Sequence, residues 1–378
     1  MRLKFLFLLI AAALVCFETG CSSLSGGMVG TTDTATVIAK SAQIRTSAYV
    51  VAADLLEVKR GEQLDVLDEL DVEKVHWYRV RAHDEAATEG WIEAQNVITS
   101  ATLAKSKGLA DQFKDQPPQA AGSIRSASNL RSAPDMTPEN VLFRLPSGTN
   151  FEIMSWKFVP KQEAPDVDDA PKGQQKQGKK AKNADDDDES DKEPGEPDKL
   201  DEKYDMWYLV RLDPAVSPAP AGWLFGRQVE LQVPTDISFF QQNNRKFVTW
   251  QRLDADSANK VGVGDKALAP GSWVILARNS YSKPIEGVEP DFDYILVLAF
   301  DKYDQTYYTV WKSTPGTVVW GALPLRVEGK GDNKTFTVRL RGPSGKIEDK
   351  RFIVFKDKNR IRVTPPEDIG QFETKSKY

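Results

Sequence analysis

The chain has little of the chemistry on which many active sites depend. Its 378 residues include two cysteines, Cys16 and Cys21, and two histidines, His76 and His83. Both cysteines sit near the N-terminus, so no disulfide and no thiolate metal site can form within the rest of the chain. Beyond His83 there is no histidine, which excludes a Ser-His-Asp triad or a histidine-bound zinc built from the later residues alone. The apolar run Phe5–Val15 has 11 residues, too few to cross a bilayer as a helix. An excess of basic charge is missing as well. With 50 Lys and Arg against 55 Asp and Glu the net charge is −5, which argues against nucleic acid as a partner, since that needs a basic face. Asp254-x-Asp256 opens like a calcium loop, but Ala258 and Asn259 break the pattern although Asp265 fills its last position. Gly262-x-Gly264 is too short for a phosphate loop even with Lys266 beside it. No metal or cofactor is expected.

What is present is a short signature that occurs twice. The first copy runs from Ile44-Arg45-Thr46-Ser47 through Gly61, Leu64 and Val66 to Trp77-Tyr78-Arg79-Val80-Arg81, and closes with Gly90-Trp91-Ile92 and Val97. The second runs from Leu130-Arg131-Ser132-Ala133 through Gly148, Phe151 and Ile153 to Trp207-Tyr208-Leu209-Val210-Arg211, and closes with Gly222-Trp223-Leu224 and Val229. The offset between copies is 86 residues at the first arginine and 87 at the glycine, then jumps to 130 at the first tryptophan. Two copies of one module are therefore present, the second with about 43 extra residues in one loop. Apolar and polar residues alternate in the Gly-x-x-Leu-x-Val and Trp-Tyr-x-Val-Arg pieces, the period of a half-buried strand. Trp77 and Arg79 are thus expected on one face and Tyr78 and Val80 on the other. In the Gly-Trp pieces the glycine is expected to supply turn angles that other residues avoid.

This set of pieces, in this order, resembles the bacterial Src-homology-3 (SH3-like) domain family over roughly residues 35–99 and 122–232. The resemblance implies small five-stranded barrels used for binding, often of peptides or cell-wall material in the bacterial envelope, though some relatives are spacers.

At the N-terminus, Arg2 and Lys4 precede the apolar run, the layout of an export signal over residues 1–20. Glu18-Thr19-Gly20-Cys21-Ser22-Ser23 resembles a lipobox, in which the cysteine is diacylated after cleavage; Glu18 departs from the residue preferred there. The other reading is a plain secretory signal or an uncleaved anchor. Lipidation is expected at Cys21, with residues 21–34 as a tether. Ser22 in place of aspartate suggests, by that resemblance, the periplasmic face of the outer membrane.

Residues 100–121 read as a linker with a short helix near Leu103–Phe113. The insert over 161–203 carries the lysines Lys172, Lys176, Lys179, Lys180 and Lys182 with no acid among them, then the acidic run Asp185–Glu189 and its neighbours, with almost no apolar residue. Such a stretch is expected to be disordered, as a tolerated loop insertion or as an electrostatic arm. From residue 233 to 366 strand-like runs recur between turns at Ala269-Pro270-Gly271, Thr314-Pro315-Gly316 and Pro343-Ser344-Gly345. They predict about eight strands in a larger antiparallel β-barrel or sandwich, and a loose tail over 367–378. The fold class expected for the whole chain is all-β.

Asp291 and Asp293, with Asp301 and Asp304 near by, are the densest carboxylates of a folded region, but no histidine, cysteine or serine motif converges on them. The chain is therefore expected not to be an enzyme. Trp77, Tyr78, Trp207 and Tyr208 are the expected binding residues, for cell-wall peptide or an envelope protein. The alternatives are a structural spacer presenting the C-terminal domain, and a hydrolase centred on Asp291 and Asp293.

Overall fold

The structure is a computed structural model that describes residues 33–161, 198–241, 244–253, 270–281, 283–331, 333–358 and 360–376. The expected export signal, Cys21, most of the charged insert and the Asp254-x-Asp256 segment lie outside these residues. The chain divides into two compact units, one ending at Ser100 and the other beginning at Ala101. Among the described residues nearly all regular structure is antiparallel β, so the fold is all-β.

The first unit is a seven-stranded sheet: β1 (Asp33–Val37), β2 (Ser41–Arg45), β3 (Asp54–Lys59), β4 (Gln63–Val72), β5 (Val75–Ala82), β6 (Glu89–Glu93) and β7 (Val97–Thr99), in the order β3-β2-β6-β5-β4-β1-β7. Its core is made by the residues that alternate inward: Val37, Ile44, Val58, Leu64, Val80 and Ile92 are buried together, with Tyr78 packed against them. The β4–β5 turn is Glu73-Lys74, both with positive φ (50° and 69°), the handedness that matches strand twist in a two-residue hairpin.

The second unit repeats this sheet with β8 (Ala120–Ile124), β9 (Ser128–Arg131), β10 (Val141–Leu145), β11 (Asn150–Pro160), β12 (Tyr204–Arg211), β13 (Ala221–Phe225) and β14 (Val229–Leu231). The order, β10-β9-β13-β12-β11-β8-β14, is that of the first sheet strand for strand. Register repeats too: Arg45 pairs with Trp91 as Arg131 pairs with Trp223. The extra residues of the second copy sit at the end of the β11–β12 hairpin, where Pro160 pairs with Tyr204 and Lys161 N–H donates to Lys203 C=O at 2.9 Å.

The segment expected as a linker does more than connect. Helix α1 (Ser100–Gln112) lays Leu109, with Phe113 just beyond its end, on Trp207, Leu209 and Trp223. Its buried Ser106 donates to Ala221 C=O and accepts from Ala221 N–H, at 2.5 and 3.0 Å. Nor does the second module stand apart from the C-terminal region as a separate domain. Gln119, wholly buried, accepts from Leu325 N–H at 2.7 Å and donates to Leu325 C=O at 3.2 Å, and Gln251 donates to the same carbonyl and to Pro118 C=O. This knot of amides pairs both ends of the Gln119 amide and the Gln251 NH2, while Gln251 Oε1 has no partner among the described residues.

The remaining strands are β15 (Arg245–Arg252), β16 (Trp273–Asn279), β17 (Tyr294–Asp301), β18 (Thr306–Lys312), β19 (Thr317–Val319), β20 (Gly321–Lys330), β21 (Asn333–Arg341), β22 (Ile347–Asp357), β23 (Arg360–Thr364) and β24 (Glu373–Lys375). They make two four-stranded sheets, β15–β18 and β20–β23 in sequential order, and a β19–β24 ribbon. Val274, Leu276, Ile295 and Val297 of one sheet share a core with Val327, Phe336, Val338, Phe352 and Val354 of the other, the sandwich of the two expected arrangements. All eight expected strands are present. The tail expected to be loose is not: Phe372 is buried in this core and β24 pairs with β19, because an apolar side chain six residues past Pro366 gives the segment something to dock.

Candidate functional site

The signature residues divide by role. Arg45 donates to Val50 C=O and pairs with Asp54 at 3.4 Å; Arg131 donates to Thr137 C=O at 2.8 Å. In both modules, then, the signature arginine braces the loop that follows its strand. Gly61 and Gly148 have φ of +88° and +76°, which explains glycine there. Gly90 and Gly222 need correction: they are not turn glycines but strand residues pressed against a neighbour. A Cβ on Gly90 would lie 2.5 Å from Arg45 O, and one on Gly222 2.4 Å from Leu130 Cγ.

Of the expected binding residues, Trp77 and Trp207 are buried, at 1% and 2% exposure, so neither presents a surface. Tyr78 and Tyr208 are half-buried. Burial raises the Tyr78 phenol above its usual range, with Glu69 and Asp33 adding to it, and burial likewise raises Tyr208. Tyr78 meets the His76 ring edge-on at 4.9 Å, and His76 Nδ1 lies 2.9 Å from Asp71 Oδ1.

The sequence did not single out the apolar tip of the β2–β3 loop. Tyr49, Val50 and Val51 are 51%, 61% and 94% exposed, and Leu55 on β3 is exposed beside them in sequence. Three consecutive apolar residues with no following periodicity were the available signal. The matching strand of the second module, β10, buries Leu142, Phe143 and Leu145.

The C-terminal carboxylates come together with cations in a buried cluster. Arg278 Nη2 donates to Glu289 Oε2 at 2.7 Å, and Lys283 N–H donates to the same oxygen at 3.0 Å. Asp293 Oδ1 accepts from Asn279 N–H at 3.2 Å and lies 3.5 Å from Arg245 Nε. Asp291 Oδ2 accepts from Leu323 N–H at 2.8 Å, and the Trp156 indole N–H lies close to that carboxylate but outside hydrogen-bonding geometry. Burial pushes the Asp291 carboxyl up to about 6 and raises Asp293 as well, while it lowers Arg278. Arg278 and Arg245 also sit over the Phe158 and Tyr294 rings, at 4.3 and 4.5 Å. Asp301 faces elsewhere, accepting from Tyr303 and Asp304 N–H in its own turn. The cluster ties β16 and β17 to the segment between them, and its carboxylates are committed to cations and backbone. Among the described residues no group of three His, Cys, Asp or Glu side chains is placed to hold a metal ion.

No protein-family model matches the chain, and no curated protein matches it. Among solved structures it is similar to NlpC2 from Trichomonas vaginalis at 9% identity, over 91% of this chain and 99% of that one, with a TM-score of 0.15, a likeness too slight to carry an argument.

Proposed function

We propose that the chain is a lipid-anchored binding protein of the cell envelope, held through Cys21 at the periplasmic face of the outer membrane, whose two SH3-like modules grip cell-wall peptide and catalyse no reaction. The observation that carries this reading is the β2–β3 tip. Tyr49, Val50 and Val51 stand in water at the end of a loop whose backbone Arg45 holds in place. Apolar side chains on a pre-set loop give contact area at little ordering cost, the property of a binding anchor. Two tethered modules raise avidity without further contacts. The commitment of Asp291, Asp293 and Glu289 to structural partners weighs against the hydrolase alternative.

Two measurements test it. Val51→Asp and Tyr49→Ala in the full chain are expected to weaken sedimentation with purified sacculi by about tenfold each with unfolding unchanged, the size usual for an interface anchor. Variant sedimentation equal to that of the unaltered chain, or no sedimentation of the unaltered chain itself, sinks the reading. Cys21→Ala is expected to leave the protein unprocessed or to release it from the membrane fraction, since stable anchoring needs two acyl chains.

A further inference from the structure

The β20–β23 sheet has one face in the sandwich core and the other in water. Alternation along β21 turns Phe336 and Val338 inward and Thr337 and Arg339 outward. Register then sets Arg326, Thr337 and Arg351 side by side in one outward row across β20, β21 and β22. On the same face Asp349 lies 3.9 Å from Arg339, and Asp357 3.8 Å from Arg362, so these acids already have their cations. Arg326 and Arg351 differ, because neither makes an ion pair or a hydrogen bond with any described residue. Arg351 is exposed, and Arg326 lines a shallow open depression of this face with Arg339 and Lys346. Glu328, one row away opposite Thr335, offsets only part of their charge.

The same chain carries a run of matching charge. Residues 185–196 hold eight carboxylates and one cation, Lys192. The insert re-enters the fold near a corner of the arginine face. Lys199 bridges Tyr281, and Leu200 N–H donates to Ser280 C=O at 2.8 Å. A few residues beyond Tyr281, Glu286 pairs at 2.5 Å with Arg341, which lies on β21 in the outward register of Thr337. Tyr281 to Glu286 spans at most about 17 Å, and Arg341 to Thr337 about 13 Å. Asp188 is ten residues before Asp198 and can reach about 33 Å from it, enough to arrive at the row. We propose that residues 185–196 dock on the outer face of the β20–β23 sheet of the same molecule, with Arg326 and Arg351 as their main cations. Guanidinium is the cation that suits carboxylates, and one acid can replace another along the run. The contact lies in water, so it contributes less than about 1 kcal/mol and is screened by salt. This docking is independent of the modules and of the reading given for them.

The test is brief trypsin digestion of the full chain, with the rate of cutting at Lys192 divided by that at Lys176, which lies outside the acidic run and serves as the control. Docking shields Lys192. Replacing both arginines, Arg326→Ala with Arg351→Ala, is expected to raise the ratio about threefold, the factor that a contact of this strength allows. Both side chains point outward and pair with nothing, so the double variant should fold as before. Raising the salt to about 0.5 M should lift the ratio of the unaltered chain by a similar factor and leave that of the double variant where it is. The salt arm needs no substitution, so it decides the matter even if the variant unfolds. A ratio in the unaltered chain that salt does not move, or one that the folded double variant shares, overturns the proposal. Shielding that grows with protein concentration overturns it too, since it would place the run on a second copy.

Discussion

In the second module the outward residues of β12 and β13, namely Trp207, Leu209 and Trp223, lie under Leu109 and Phe113 beside helix α1. In the first module the matching positions hold Trp77, Arg79 and Trp91. There Trp77 is buried as Trp207 is, but Arg79 is exposed, Trp91 half-buried, and Glu89 takes Arg79 and Arg81 at 3.0 and 2.7 Å. Ala221 stands where Glu89 would be, and its backbone carries both bonds to Ser106. One fold thus bears two kinds of surface, and the choice rests on a few outward positions. An apolar residue at 209 and a small one at 221 admit a helix, whereas arginine and glutamate in their places keep water.

The comparison can be broken most forcefully at Leu209. Leu209→Arg puts the first face's charge into the buried layer beneath the helix, and should cost about 3–5 kcal/mol, the penalty of a buried charge without a fitted partner. Denaturant unfolding measures the loss, and early proteolysis within residues 100–116 would show that the helix has lifted. The reciprocal Arg79→Leu, at an exposed site, should move stability by no more than about 0.5 kcal/mol. An equal loss in both would mean that the helix does not depend on this face.

A smaller effect separates the carboxylates of the two units. Glu89 is half-buried, and its hydrogen bond from Arg81 lowers its carboxyl below the usual range; Asp291 is raised to about 6 by burial. A carboxyl raised in the folded state contributes stability that is full below its unfolded value near 3.8 and is lost as pH rises through about 6. Asp291→Asn should remove that decline, leaving the variant about 2–3 kcal/mol more stable than the unaltered chain at pH 7. Unfolding free energies measured from pH 4 to 7 check it, and parallel profiles would refute it.

The glycines before the tryptophans sharpen the contrast further. Gly90→Ala drives a Cβ against a backbone oxygen, and Gly222→Ala drives one against the buried but rotatable Leu130 side chain. Both should cost about 1–3 kcal/mol, with Gly90→Ala the larger because backbone yields less than a rotamer. Smallest of all, replacing residues 162–197 with a short glycine-serine linker should change stability by less than about 1 kcal/mol. Lys161 and Lys203 already close the hairpin. A larger loss would show that the insert packs on the fold.

Much of this architecture is legible in the chain. The repeat is written in residues whose roles are local, such as an arginine bracing the next loop or a glycine at positive φ, so it survives as a spacing. The eight strands of the sandwich follow from alternation and turns. What escaped depends on distant partners. Nothing near Gln119 says that Leu325 will meet both ends of its amide, and nothing near Phe372 says that it will reach the sandwich core. The Gly-Trp glycines read as turn residues in the sequence for that reason: close approach to Arg45 O and Leu130 leaves no local mark.

The hairpins that join the two tryptophan strands to their partners differ in one further respect, the order in which they can form. Val72 and Val75 pair across two residues whose backbone already favours the turn, whereas Pro160 and Tyr204 must meet across 43. Closing the longer span costs about 2–3 kcal/mol more of chain entropy before the first pairing is made. During synthesis or refolding, the first sheet can therefore nucleate locally and early, while β11 waits for β12. The edge of β11 stays unpaired for that interval, and pulse-labelled hydrogen exchange should find protection at Tyr78 and Val80 well before Tyr208 and Val210.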